Sequence, residues 1–333
     1  MTSGHRNHLG MLLGTLWFVS SGVLLLSSAL GRSQLSAYGN VASLVFILIL
    51  IVYLWRAPPL AADLPDLESL ADLHLGYGKM LLMILGGLVV LFLVGIVVHP
   101  WIVLVAALSL VACTVVIAQR RSLSRRLIFL GLLAGGLCLI LSGMSGRLDG
   151  FQGFYLACVP LLFVGGGLLT KRTGLTRVHS VDGNWGLAIR GFLSACVLSV
   201  PAALLNISYG AHPADAWVDQ VWEPAVALVP GIAEETWARL FLLTLLYALL
   251  RPQTKQRPAR AMVTPVLLAA LVHALAHLPG TMVFSPAALQ MLLSGLLFGV
   301  PMGLLFVKYG FEQAVGYHFF IDFVRFVLAV QQG

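Results

Sequence analysis

The 333-residue sequence is 59% hydrophobic and only 10% charged, with a mean hydropathy of +0.95 and a formal net charge of +7. Soluble domains carry about 25% charged residues, so the composition excludes a soluble fold and indicates an integral membrane protein. The apolar runs are long and continuous rather than alternating, which excludes a β-barrel and predicts an all-α, polytopic transmembrane helical bundle.

Spanning runs are expected at roughly 9–30, 39–55, 80–98, 101–118, 127–145, 151–169, 187–208, 224–250, 261–278, 287–307 and 310–330, about eleven in all. The first follows His5, Arg6 and His8 and is too long for a cleaved signal peptide, so it reads as a retained helix. Between spans 2 and 3, residues 56–79 place Asp63, Asp66, Glu68 and Asp72 among leucines, a spacing that suggests a short amphipathic surface helix. Basic residues cluster at Arg120-Arg121 with Arg125-Arg126, at Lys171-Arg172 with Arg177, and from Arg251 to Arg260. Two spans separate each cluster from the next, so all three fall on one side. The positive-inside rule makes that side cytoplasmic, with the N-terminus inside and the C-terminus outside. This placement explains the net charge without a nucleic-acid partner.

Cys113, Cys138, Cys158 and Cys196 lie in apolar runs without metal or disulfide spacing and read as small core residues. Asp182-Gly-Asn184 is a plausible cap for the seventh span. On the opposite side, His212 to Glu223 brings acids together with Trp217 and Trp222, as in an interfacial aromatic belt. Gly135-Gly136, Gly165-Gly166-Gly167 and Gly295-x-x-x-Gly299 permit close helix packing. Spans 1 to 6 hold almost no intramembrane charge and read as scaffold. The polar chemistry is in the last third.

There Glu234, Glu235 and Arg239 interrupt the run Pro224–Leu250. Ionisable groups at that depth cost about 3 kcal/mol each unless they meet partners in an interior cavity. Glu235 and Arg239, four apart, share a helix face and can pair, whereas Glu234 is turned about 100° away. His273 and His277 are also four apart, as are His318 and Asp322, with Arg325 three further on. Acids, histidines and arginines on three neighbouring helices are most simply satisfied by one shared cavity. Such a cavity suits amide hydrolysis, with a carboxylate as general base, a histidine holding the water, and donors facing the oxyanion. No Gly-x-Ser-x-Gly elbow and no His-Glu-x-x-His zinc signature occurs.

Glu234-Glu235-x-x-x-Arg239, His273-x-x-x-His277 and His318-x-x-x-Asp322, in that order, resemble the three motifs of the CPBP family. These are the CAAX-processing and bacteriocin-processing intramembrane proteases, also called the ABI family. The resemblance covers the C-terminal third of the chain and does not extend to residues 1–180. It implies a protease core over 187–330; residues 1–180, by their apolar runs, read as N-terminal transmembrane helices that serve as scaffold. It also implies catalytic Glu234 as base, His277 as its partner, and His318 with Asp322 facing the oxyanion. Glu235, Arg239, His273 and Arg325 would shape the pocket. The implied mechanism needs no cofactor; the alternative is Zn²⁺ held by His273, His277, His318 and Glu234.

Two positions depart from the family pattern. His273 stands where the second motif has an aromatic, and Asp322 stands where Asn is commoner. An ionised aspartate cannot donate to an oxyanion, so Asp322 must be protonated, orient His318, or pair with Arg325. By span boundaries alone, Glu234 and His277 lie nearer the outer face and His318 nearer the cytoplasm. The reading is an intramembrane endopeptidase of a bacterial cytoplasmic membrane acting on a membrane-associated peptide or protein. A non-catalytic binding, transport or scaffold role for the same cavity is the alternative, and oligomeric state is left open.

Overall fold

A computed structural model describes residues 12–13, 15–17, 19–21, 33–56, 77–97, 100–208, 215, 217–251, 258–278 and 285–332. The acidic connector expected within 56–79, most of the third basic cluster, and much of the first span lie outside these residues. The described elements are helices: α1 (Ser33–Arg56), α2 (Tyr77–Val97), α3 (Pro100–Ala118), α4 (Arg125–Met144), α5 (Gly150–Thr173) and α6 (Trp185–Ser208). They continue with α7 (Leu228–Glu235), a π-helical segment (Thr236–Leu243), α8 (Thr244–Leu250), α9 (Pro258–Ala276), α10 (Pro286–Tyr309) and α11 (Phe311–Gln332). Among the described residues, seven stretches, within α2 to α6, α10 and α11, are long and apolar enough to cross a membrane, and shorter apolar stretches lie in α1 and α9. The chain is a polytopic helical membrane protein. Its exposed leucines and valines, such as Leu82, Val90, Leu110 and Leu132, face outward as lipid contacts require.

Capping residues set several helix ends. Asn184 accepts from the Leu187 amide at 3.3 Å and starts α6, while Asp149 accepts from Gln152 at 2.6 Å and starts α5. Gly310, at φ +121°, joins α10 directly to α11, and a Cβ there would press on the Arg177 carbonyl at 2.9 Å. Glu312 clips this corner to the α5–α6 connection, accepting from the Ser180 amide and hydroxyl, each at 2.8 Å.

The glycine runs are packing surfaces. A Cβ on Gly166 would lie 2.7 Å from the Leu240 carbonyl oxygen, so α5 rests directly on the backbone of the π segment. On α10, Gly295 meets Ala274 and Gly299 meets Ala270, small residues one helical turn apart on α9. Gly135 accommodates Pro160 of α5. A Cβ on Gly231 would lie 3.3 Å from the backbone of Phe319, and α11 also packs along α6. Cys138 and Cys196 are buried and Cys158 is partly so. Cys113 corrects the expected pattern, because it is exposed. In a membrane helix an apolar residue suits lipid as well as the core, so composition does not separate the two faces.

The first two basic clusters and Arg251 gather at one end of the bundle, where Arg251 donates to the Thr173 carbonyl at 3.0 Å. Arg120 and Arg121 share a concavity there with Lys171 and Arg172.

Candidate active site

Four elements bring the expected polar residues together. α7 ends at Glu234 and Glu235, the π segment carries Arg239, α9 carries His273 with His277 just past its end, and α11 carries His318, Asp322 and Arg325. The apparent disagreement in depth disappears because α7 begins only at Leu228, after a 3₁₀ turn, and α11 crosses it at the Gly231–Phe319 contact.

Glu235 and Arg239 are wholly buried and pair at 2.9 Å. Arg239 Nη1 also approaches His273 Nδ1 at 3.2 Å, while Nη2 donates to the Gly299 carbonyl at 3.2 Å and to Met302 Sδ at 3.5 Å. A guanidinium only donates, so His273 Nδ1 accepts and the ring proton is on Nε2. That Nε2–H donates to Glu234 Oε2 at 2.7 Å. A residue 34 positions away in sequence thus fixes the tautomer that holds Glu234.

His277 has the opposite arrangement. Its Nδ1–H donates to the His273 carbonyl at 2.9 Å, which leaves the Nε2 lone pair facing Glu234 Oε2 at 3.6 Å. His277 is the open side of the site, with its side chain 44% exposed against 13% for Glu234. His318 donates from Nδ1 to Glu235 at 2.8 Å, while its Nε2 lies 3.8 Å from Glu234 and 3.4 Å from Asp322. Asp322 also stands 3.5 Å from Arg325 Nη1, and Arg325 Nε reaches Asp215 at 2.9 Å. Asp322 therefore lies between His318 and Arg325, within ion-pair distance of both. The Arg147 guanidinium lies 4.4 Å over the Trp217 ring at this edge. Burial lowers its pKa from the ordinary value and Asp215 opposes the shift.

The sequence did not identify the aromatic wall. Trp101 of α3 stands edge-on to His277 at 5.1 Å, to Trp237 at 5.3 Å and to Tyr155 of α5 at 5.5 Å. Trp237 in turn packs edge-on to His273 at 5.4 Å. Two helices without intramembrane charge thereby wall the charged cluster. The available signal was an aromatic at the head of one apolar run and another in the second run after it, which equally fits an interfacial belt.

The ligand atoms of Glu234, His273 and His277 lie within 4.8 Å of one another, close enough to consider a metal ion. The ring protons argue against it at His273. Ligation through Nε2 would move the proton to Nδ1, where it would point at the Arg239 donor 3.2 Å away. The set fits a network of shared protons better than a zinc centre.

No curated protein and no solved structure matches the chain. A family model described as type II CAAX prenyl endopeptidase Rce1-like matches residues 218–324. The match takes in each residue of the three motifs from Glu234 to Asp322. Residues 218–324 are therefore similar to the CAAX-type endopeptidases of the CPBP family.

Proposed function

We propose that the chain hydrolyses a peptide bond of a membrane-associated peptide or protein with water activated by Glu234. The observation carrying this reading is a single carboxylate oxygen, Glu234 Oε2, faced by His273 at 2.7 Å, His277 at 3.6 Å and His318 at 3.8 Å. Glu234 Oε2 and His277 Nε2 are both acceptors, so a water between them donates one hydrogen to each and turns its lone pair outward. Its oxygen attacks the scissile carbonyl carbon, its proton passes to Glu234, and the carbonyl electron pair moves onto oxygen. His318 serves as the imidazolium, with Nδ1–H held by Glu235, and its Nε2–H, oriented by Asp322, donates to that oxyanion. The C–N bond then breaks, the leaving nitrogen takes the proton from Glu234, and an acid and an amine remain. His273 Nε2–H keeps the carboxylate oriented throughout.

In this reading residues 187–330 are the protease core, and helices within 1–180 complete its wall through Trp101 and Tyr155. We place the chain in a bacterial cytoplasmic membrane with the basic end and the N-terminus in the cytoplasm and the C-terminus outside. Peptide maturation, self-immunity and regulated proteolysis are the candidate roles. A second reading, Zn²⁺ on Glu234, His273 and His277, rests on their mutual proximity.

The test is cleavage of a membrane-peptide library by purified wild type and Glu234→Gln, with and without a chelator. Cleavage lost in the variant and indifferent to chelator supports the glutamate mechanism. Loss on chelation with rescue by Zn²⁺ replaces it with the metal reading. Normal turnover by Glu234→Gln refutes both the base assignment and the mechanism.

A further inference from the structure

A second site lies at the basic end, apart from the charged cluster. The 3₁₀ turn Arg120–Ser122 that follows α3 and the last turn of α5 enclose a concavity of about 630 Å³. Four of its nine lining residues are cationic, namely Arg120, Arg121, Lys171 and Arg172, and none of the nine is acidic. The inner wall is apolar, formed by Ile117, Ala118 and Leu168, and Ile117 is 62% exposed.

Cations in the last turn of a helix are favoured by its dipole, and basic loops are expected at one membrane face. Neither effect requires cations from two separate turns to converge on one hollow with an apolar floor. Because α3 and α5 end here, the hollow lies at interfacial depth, with charge toward the headgroups and Ile117 toward the acyl region. We propose that this concavity binds the phosphate headgroup of an anionic glycerophospholipid, with an acyl chain along Ile117 and Leu168. The guanidiniums supply paired donors to phosphate oxygens, the lysine supplies a point charge, and the apolar wall distinguishes a lipid from a free anion.

The experiment measures retention of phosphatidylglycerol by the purified full chain in detergent, using native mass spectrometry. Wild type is compared with Arg120→Gln/Arg121→Gln, Lys171→Gln/Arg172→Gln, and a control, Arg125→Gln/Arg190→Gln, that removes two charges outside the hollow. Each pocket double variant should weaken retention about thirtyfold, from two interfacial cations. The control should bind like wild type, and phosphatidylcholine should bind weakly to all. Equal losses in the pocket variants and the control would overturn the site in favour of general surface charge. Competition by glycerol 3-phosphate at concentrations comparable to the lipid would overturn the lipid assignment. Unfolding midpoints without lipid identify a misfolded double variant. In that case the single Arg121→Gln variant decides, and wild-type retention by it refutes the proposal.

Discussion

Arg239 is the residue whose removal should do most damage, because it holds a buried charge and fixes a tautomer together. Its two terminal nitrogens serve Glu235, His273, the Gly299 carbonyl and Met302. Arg239→Met keeps an apolar stem of similar reach and removes every one of these donors. Glu235, with no exposed surface, is then a buried carboxylate paired only with His318. Breaking a buried ion pair from one side costs about 3–5 kcal/mol. The double variant Glu235→Gln/Arg239→Met removes the stranded charge as well and should recover more than half of that loss. Arg239→Lys retains the charge but not the planar fork, so it should fold while leaving His273 free to exchange tautomers. Its peptide cleavage should fall about 10²-fold, the contribution of one positioned acid–base group. The assay is the free energy of unfolding in detergent, read from tryptophan fluorescence, beside kcat for each variant. A single Arg239→Met variant as stable as wild type, or no more stable when combined with Glu235→Gln, would refute the coupling.

Gly166→Val should push α5 off the π segment and lower stability by about 1–3 kcal/mol, whereas Gly136→Ala, with nothing near its Cβ, should be neutral; thermal midpoints check both. Trp101→Ala removes the edge contacts to His277 and Trp237 and should reduce kcat about tenfold more than Trp101→Phe does, read from cleavage kinetics. Asp322→Asn keeps an acceptor for His318 and should change kcat by less than about tenfold, while Asp322→Leu should reduce it further.

Much of this arrangement was legible in the residues. Apolar run lengths fixed the helices, and i,i+4 spacing foretold the Glu235–Arg239 pair because it depends only on helix geometry. The glycine runs foretold close packing, though not its partners. Arg239–His273 was not legible, since two residues 34 apart meet only when α9 packs on the π segment. Trp101 and Tyr155 escaped for a related reason. In a membrane helix the lipid-facing and protein-facing stripes are both apolar, so hydropathy does not tell which aromatics turn inward. The exposed Cys113 shows the same ambiguity in reverse. The π segment has no compositional mark, because wider i→i+5 turns are selected by what packs around them.

The π segment between the acidic pair and α8 sets an angular phase. An i→i+5 turn takes up one residue more than an i→i+4 turn, and one residue corresponds to about 100° of rotation on an α-helix. Leu246, Tyr247 and Leu250 of α8 are buried, which pins that end of the helix in rotation. Glu234 and Glu235 are therefore aimed by the winding of Thr236–Leu243 as much as by their own helix. Rewinding that segment as ordinary α-helix, with no residue lost, would leave every side chain and contact type still available. The carboxylates would then swing away from the histidines, and the helix would remain while its chemical address changed.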